Sequence, residues 1–183
     1  GLCGLIARHF GPVSRFEEST IEANPESLTA EKLSVLKCAG FSRISMGLQS
    51  FSDTELKTLG RVHTVQTFLS AYRAARQAGF DNINVDLIAG VPGQSLQSFL
   101  DGLKKLTALR PEHLSVYGLQ IEEGTPFFER GIVCDQMLMR QMLEDTHAYL
   151  QEAGYHHYEI SNFALPGREA KHNTSYWHNC EYL

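Results

Sequence analysis

The sequence predicts an α/β fold in which parallel strands alternate with outer helices, as in part of a (β/α) barrel. An Ala-Gly-aromatic triplet recurs around Gly40, Gly79 and Gly154, each time between an apolar-periodic stretch and a strand-like run. Helical and strand-like periodicities alternate along the chain. Several strand-like runs are apolar on both faces, which is typical of parallel strands covered by helices. Periodicity alone leaves open whether the sheet is open or part of a barrel.

Thr29 and Thr64 can cap the first turns of two predicted helices, and Ser95 and Asp135 begin the other two. The glycine of each triplet suits the left-handed position that ends a helix, and Pro111 ends the third one. The predicted helices are Ala30–Ala39, Thr64–Ala78, Ser95–Leu109 and Asp135–Ala153.

The predicted strands alternate with these helices along the chain. They are Thr20–Ala23, Arg43–Ser50, Asn82–Ala89 and His113–Gln120, with a short fifth strand near Tyr158–Ile160. This alternation predicts right-handed crossovers between parallel strands.

Length and composition exclude several classes of protein. The 183 residues fit one domain or part of a larger one, and 43% hydrophobic residues allow a packed core. A net charge of −5 disfavours a nucleic-acid groove, and no apolar run is long enough for a membrane span. Scattered cysteines and the lack of an export signal favour a cytoplasmic protein with reduced thiols. The cysteines are Cys3, Cys38, Cys134 and Cys180.

Three predicted strands end at or near a polar side chain, namely Glu22, Gln49 and Gln120. Asp86 lies within the third strand, where burial is costly unless the carboxylate is hydrogen-bonded. Neighbouring backbone amides could satisfy it. Because ligands of parallel α/β folds bind at the carboxyl ends of strands, acceptors on successive strands favour a ligand site. The tight turn Gly90–Gln94 allows close approach of a ligand to the backbone.

Seven motifs occur in one order and together resemble a known family. The string resembles the oxygen-independent coproporphyrinogen III oxidase-like radical S-adenosylmethionine (SAM) proteins, and is most similar to their heme chaperone (HemW) branch. The resemblance covers residues 20–183. The motifs are Ile21–Pro25, Arg43–Phe51, Leu59–His63, Asp86–Gln94, Glu122–Pro126, Tyr158–Ala164 and His172–Trp177.

The resemblance implies that residues 1–154 form part of a radical SAM barrel and that residues 155–183 begin a HemW-like C-terminal region. It also implies SAM and, in the parent protein, a [4Fe–4S] cluster. Carboxylates can accept hydrogen bonds from the ribose or α-amino group of SAM, and a guanidinium can hold its α-carboxylate. The implied SAM ligands are Glu22, Gln49, Arg61, Asp86 and Gln120.

The segment from His172 to Trp177 resembles a motif associated with heme in the chaperone branch. A histidine can ligate heme iron, and aromatic side chains can cover the porphyrin face. The alternative is a structural motif in which His172 is only hydrogen-bonded. The implied heme ligands are His172, Asn173, Tyr176 and Trp177.

The chain departs from the family at the cluster loop. No C-x-x-x-C-x-x-C loop and no glycine-rich segment after it are present, and Cys3 and Cys38 stand 35 residues apart. The simplest interpretation is a fragment truncated at both ends. We therefore expect the chain alone to hold no cluster and to leave SAM uncleaved.

The resemblance predicts part of a heme chaperone-like protein that binds heme and SAM and delivers heme to an acceptor protein. The alternative is an oxygen-independent coproporphyrinogen III oxidase, which oxidatively decarboxylates propionates. A third reading is a general α/β barrel enzyme for a phosphate or sugar ligand, although no nucleophile–base pair supports it. The sequence leaves open whether the protein is an enzyme.

Overall fold

A computed structural model describes residues 2–180, so residues 181–183 of the predicted C-terminal region lie outside the described residues. The strands are β1 (Thr20–Ala23), β2 (Arg43–Gln49), β3 (Ile83–Ala89), β4 (His113–Gly118), β5 (His156–His157) and β6 (Asn162–Ala164). They form one sheet in the order β1-β2-β3-β4-β6-β5, in which β1 to β4 are parallel. The mostly parallel α/β sheet is therefore confirmed.

The four predicted helices are confirmed, and their ends shift by one or two residues. The predicted caps Thr29 and Thr64 each accept a hydrogen bond from the backbone amide three residues further on. Ser95 and Asp135 cap the other two helices in the same way. Four further helices were not predicted. The helices are α1 (Leu2–Phe10), α2 (Ala30–Cys38), α3 (Asp53–Thr58), α4 (Val65–Gln77), α5 (Leu96–Thr107), α6 (Pro126–Glu129), α7 (Gln136–Glu152) and α8 (Lys171–Trp177).

The repeated triplet ends α2, α4 and α7 in the same way. Gly40, Gly79 and Gly154 have φ values of 99°, 88° and 89°. The amide of the aromatic residue that follows donates to the carbonyl oxygen five positions earlier, at 3.2, 3.1 and 2.9 Å. This arrangement satisfies carbonyl groups that the helix leaves free and turns the chain toward the next strand.

The two faces of the sheet differ, so the prediction of strands apolar on both faces is wrong. One face packs beneath the helices and buries Ile44, Met46 and Leu48 completely. The alternate residues, which the register places side by side, are largely polar, although several of them are buried as well. We call this surface the inner face, formed by Thr20, Glu22, Arg43, Ser45, Gly47, Asn84, Asp86, His113, Ser115 and Tyr117.

The predicted fifth strand near Tyr158–Ile160 is also wrong. These residues form the connection between β5 and β6, which pair antiparallel, and β6 in turn pairs antiparallel with β4. So short a connection can join only antiparallel strands, because a parallel pair needs a crossover. The sheet therefore ends in a hairpin rather than in another βα unit.

Across residues 2–180, no helix combines the length and apolar character that crossing a bilayer requires.

Candidate cofactor site on the inner face

An irregularity at the carboxyl end of β2 fixes the side chain of Gln49. The register with β3 shifts between Gly47 and Gln49, so the chain bulges there. Gln49 is buried and has a φ of 72°, which a non-glycine residue rarely adopts. The side-chain amide of Gln49 packs against the backbone of Gly47. A methyl group added to Gly47 would stand only 2.5 Å from Gln49 Nε2. Strained backbone of this kind is found at ligand sites.

Arg61, in the loop after α3, reaches the same end of the sheet. Its Nη1 donates to Oδ1 of Asn24, just beyond β1, at 3.4 Å. The buried His63 anchors the loop, because its Nε2 donates to the carbonyl oxygen of Leu48 on β2 at 3.1 Å. Arg61 and Gln49 therefore lie at the carboxyl ends of neighbouring strands.

Asp86 lies on the inner face partway along β3, opposite Gly47 on one side and Ser115 on the other. Its Oδ1 accepts a hydrogen bond from Nδ2 of Asn84 at 2.7 Å, so a side chain satisfies it. Burial raises the pKa of the Asp86 carboxyl above its usual value, the hydrogen bonds oppose that rise, and nearby Glu22 adds to it. Two carboxylates near each other suit a ligand that carries hydroxyl or ammonium groups.

A chain of hydrogen bonds connects the inner face to α8. Oδ1 of Asn84 accepts from Nδ1 of His113 at 2.6 Å, so Nε2 of His113 accepts from the Tyr158 hydroxyl at 2.7 Å. The Tyr158 oxygen in turn lies 3.5 Å from Nδ2 of Asn173 on α8. Burial, together with the charge of Arg43, lowers the pKa of His113 to about 3. His113 is therefore neutral, with its proton on Nδ1.

Sequence reasoning missed a second network, centred on Glu55. This buried carboxylate accepts from Ser50 at 2.5 Å, from Gln94 at 2.8 Å and from Ser98 at 2.8 Å. Oε1 of Gln94 accepts from two backbone amides of the turn after β3, at 2.8 and 3.2 Å. Gln94 belongs to the glycine-rich turn that the sequence singled out, but nothing in the sequence marks Glu55.

A cavity of about 590 Å³ separates the inner face of β1 and β2 from α8. Glu22 and Arg43 line it from the sheet, and His172 and Asn173 line it from α8. Arg43 and Gln49 stand at opposite ends of β2, about 20 Å apart along the strand. The structure thus brings Glu22 together with two predicted heme ligands, at a distance from Gln49.

The other predicted heme ligands lie further along α8. The rings of His172 and Tyr176 meet edge to face with centroids 4.7 Å apart. Trp177 follows them and is 56% exposed. The helix therefore presents a histidine and two accessible aromatic rings within two turns.

Gln120 is separate from the other predicted SAM ligands. It follows the end of β4, is exposed, and lines a different cavity of about 1090 Å³ between β4 and α7. Apolar side chains such as Met137 and Ile160 line that cavity as well. The structure does not bring Gln120 to the inner-face cavity.

The inner face fits SAM, and the described cysteines do not fit a cluster. Gln49 in its bulge, the guanidinium of Arg61 and the carboxylates of Glu22 and Asp86 match the donors and acceptors of SAM. A cluster needs thiolates that converge. Within the described range 2–180, no group of three His, Cys, Asp or Glu side chains could hold a metal. The four cysteines are free, with Cys3 on α1, Cys38 at the end of α2, Cys134 just before α7 and Cys180 after α8.

Comparisons with known proteins agree with this reading. The family described as the radical SAM superfamily matches residues 5–106. The heme chaperone HemW of Bacillus subtilis is 40% identical over all of this chain, which covers 49% of that protein. HemW of Escherichia coli is 39% identical over 94% of this chain and 46% of its own length. The chain thus spans about half the length of these curated relatives.

A solved structure agrees as well. Coproporphyrinogen III oxidase (HemN) from Escherichia coli, a radical SAM enzyme, superposes with a TM-score of 0.74 at 28% identity. The match covers 88% of this chain and 38% of HemN. The superfamily implies SAM and a [4Fe–4S] cluster for the proteins that compose it. Because the family match covers more than half of the chain, this chain belongs to the radical SAM superfamily.

Proposed function

We propose that this chain is part of a heme chaperone-like protein that binds SAM and heme. The observation that carries the proposal is the cavity between the inner face and α8, in which His172 faces polar groups of β1 and β2. The likeness to HemW over the whole length of the chain supports it. Residues 1–154 would supply the barrel part and residues from 155 onward the start of the C-terminal region.

Gln49, Arg61, Asp86 and Glu22 would hold SAM, which supplies the reactive sulfonium of the superfamily. Arg61 would bind the α-carboxylate, since a guanidinium matches a carboxylate in two parallel hydrogen bonds. Asp86 and Glu22 would accept from the amino group and ribose hydroxyls. Gln120 would contribute only through a rearrangement of the loop after β4, because it lines the other cavity.

His172 would supply a nitrogen ligand to heme iron, and Tyr176 and Trp177 would pack against the porphyrin. Asn173 would position α8 through the Tyr158 hydroxyl. The exposure of the helix allows a flat ligand to approach it. A heme-acceptor protein would then receive the heme, and free cysteines favour the cytoplasm as the compartment.

Oxygen-independent coproporphyrinogen III oxidation is the second candidate, and the structural likeness to HemN favours it. Both activities use a tetrapyrrole that carries propionates. Conversion of coproporphyrinogen III by the protein containing this chain would support the oxidase. Saturable heme binding without conversion would support the chaperone.

A hemin titration tests the heme site. We expect a saturable change in the Soret band that His172→Ala weakens by about tenfold or more, because iron loses its axial nitrogen. His178→Ala is the matched control, since His178 is exposed just after α8. Equal loss in both variants, or no saturable change in the unmodified chain, would contradict the proposal.

Calorimetric titration with SAM tests the cofactor site separately. Arg61→Gln should weaken SAM by about tenfold, because a charge-assisted hydrogen bond to the carboxylate is lost. Arg73→Gln, at an exposed position of α4, should leave the affinity unchanged. An unaltered affinity in Arg61→Gln would remove that residue from the site.

A further inference from the structure

Arg43 is a buried cation that forms no ion pair with the described residues. It is 5% exposed at the start of β2, and its Nε has no hydrogen-bond partner. Among the described residues, no carboxylate lies within 4.0 Å of the guanidinium, as the ion pairs all involve other cations. A buried charge of this kind is costly unless something compensates it.

The carboxylates whose charges act on Arg43 are Glu18 and Asp86, and both accept hydrogen bonds from other side chains. Glu18 accepts from the Thr20 hydroxyl at 3.2 Å and from the Lys171 amide at 3.3 Å. Glu17 pairs with the Lys171 ammonium at 3.0 Å. The charges of Glu18 and Asp86 act on Arg43 only at a distance, and burial still lowers the pKa of its guanidinium. Arg43 therefore retains its capacity to bind an anion.

Arg43 lines the same cavity as His172. The other charged side chains that line the cavity are three glutamates and Lys171. The electrostatic potential of the cavity as a whole therefore does not attract anions. An anion would bind here through direct contact with the guanidinium. Such contact favours a planar group that accepts two parallel hydrogen bonds, as a carboxylate does.

We propose that Arg43 is the carboxylate-binding residue of this cavity and holds a propionate of the tetrapyrrole whose iron faces His172. This inference rests on the proposed heme site and adds to it the group that fixes the orientation of the ligand. The two propionates of heme stand at one edge of its ring, so a cation on the sheet and a histidine on α8 can hold the same molecule from two sides.

The test compares hemin with hemin dimethyl ester, whose propionates carry no charge, by absorbance titration of the full chain. We expect the chain to prefer hemin by about tenfold, because a charge-assisted pair of hydrogen bonds is absent with the ester. Arg43→Met should abolish that preference. Arg73→Met, an exposed arginine on α4, should keep it.

Thermal unfolding of the ligand-free variants separates a binding role from a structural one. Arg43→Met should raise the melting temperature by about 2 °C or more, since it removes an uncompensated buried charge. A lower melting temperature with an unchanged preference for hemin would identify a structural arginine. Weaker SAM binding with an unchanged preference would assign the guanidinium to SAM. Either result overturns the inference.

Metal-free protoporphyrin IX distinguishes this inference from the proposed function, because it has propionates but no iron. Its binding should depend on Arg43 and not on His172. If protoporphyrin binding depends on Arg43 but His172→Ala leaves hemin binding unchanged, only the assignment of His172 as the iron ligand is wrong. If hemin depends on His172 but neither porphyrin depends on Arg43, only this inference is wrong. If neither porphyrin binds, both are wrong.

Discussion

Replacing His113 with glutamine should remove a large part of the acid sensitivity of folding. His113 is completely buried, and its pKa falls from 6.5 to about 3 in the folded protein. Between these values the unfolded chain binds more protons than the folded protein does. Stability is therefore complete above pH 6.5 and falls as the pH is lowered toward 3.

The size of the effect follows from the pH window. Each pH unit below 6.5 costs about 1.4 kcal/mol, so acidification from pH 7 to pH 5 should cost about 2 kcal/mol through His113 alone. For a chain of this length that corresponds to a fall in melting temperature of about 4–8 °C. His113→Gln keeps a polar group near Asn84 but does not titrate in this range.

Urea unfolding of both proteins at pH 7 and pH 5 measures the difference. The quantity compared is the change in the free energy of unfolding between pH 7 and pH 5. Other groups titrate equally in both proteins, so their contributions cancel in that comparison. His178→Gln, at an exposed position, should behave like the unmodified chain. Equal losses of stability between pH 7 and pH 5 in the unmodified chain and in His113→Gln would refute the reasoning.

Three further predictions concern the cofactor site and its supports. Gly47→Ala should weaken SAM binding in calorimetry with little change in melting temperature, because the new methyl group displaces only the side-chain amide of Gln49. A loss of stability without weaker SAM binding would contradict this prediction. Glu55→Gln should reduce the free energy of unfolding, measured in urea, by about 1–3 kcal/mol, because three donors lose a carboxylate acceptor. An unchanged free energy of unfolding would contradict this prediction. Anaerobic reconstitution with iron and sulfide should give no stoichiometric cluster on this chain, and iron and sulfide analysis would reveal one if the expectation is wrong.

Local signals in the sequence predicted much of the fold. Helix caps such as Thr29 and Asp135 and the glycines of the repeated triplet act within a few residues, so the sequence displays them directly. The inner face was missed although β2 alternates Arg43, Ser45 and Gly47 with buried apolar residues. The alternation is visible in the sequence, but the expectation that helices cover both faces concealed it.

The remaining features of the site depend on contacts between residues far apart in the chain. Tyr158 meets His113 across 45 residues, and Gln94 meets Glu55 across 39, and no local pattern encodes either pairing. Arg43 and His172 likewise line one cavity although 129 residues separate them in the sequence. Residue type and spacing predicted which side chains are candidates, whereas the long-range pairings determine which of them meet.

The order of strands in the sheet has a consequence for how the protein assembles. Strands β1 to β4 neighbour one another in the order in which they are synthesised, so each βα unit can dock on its predecessor as the chain emerges. The hairpin of β5 and β6 must come last, because it pairs back onto β4 and only then brings Tyr158 to His113. Pulse-labelling hydrogen exchange should find the amides of β2 and β3 protected before those of β6.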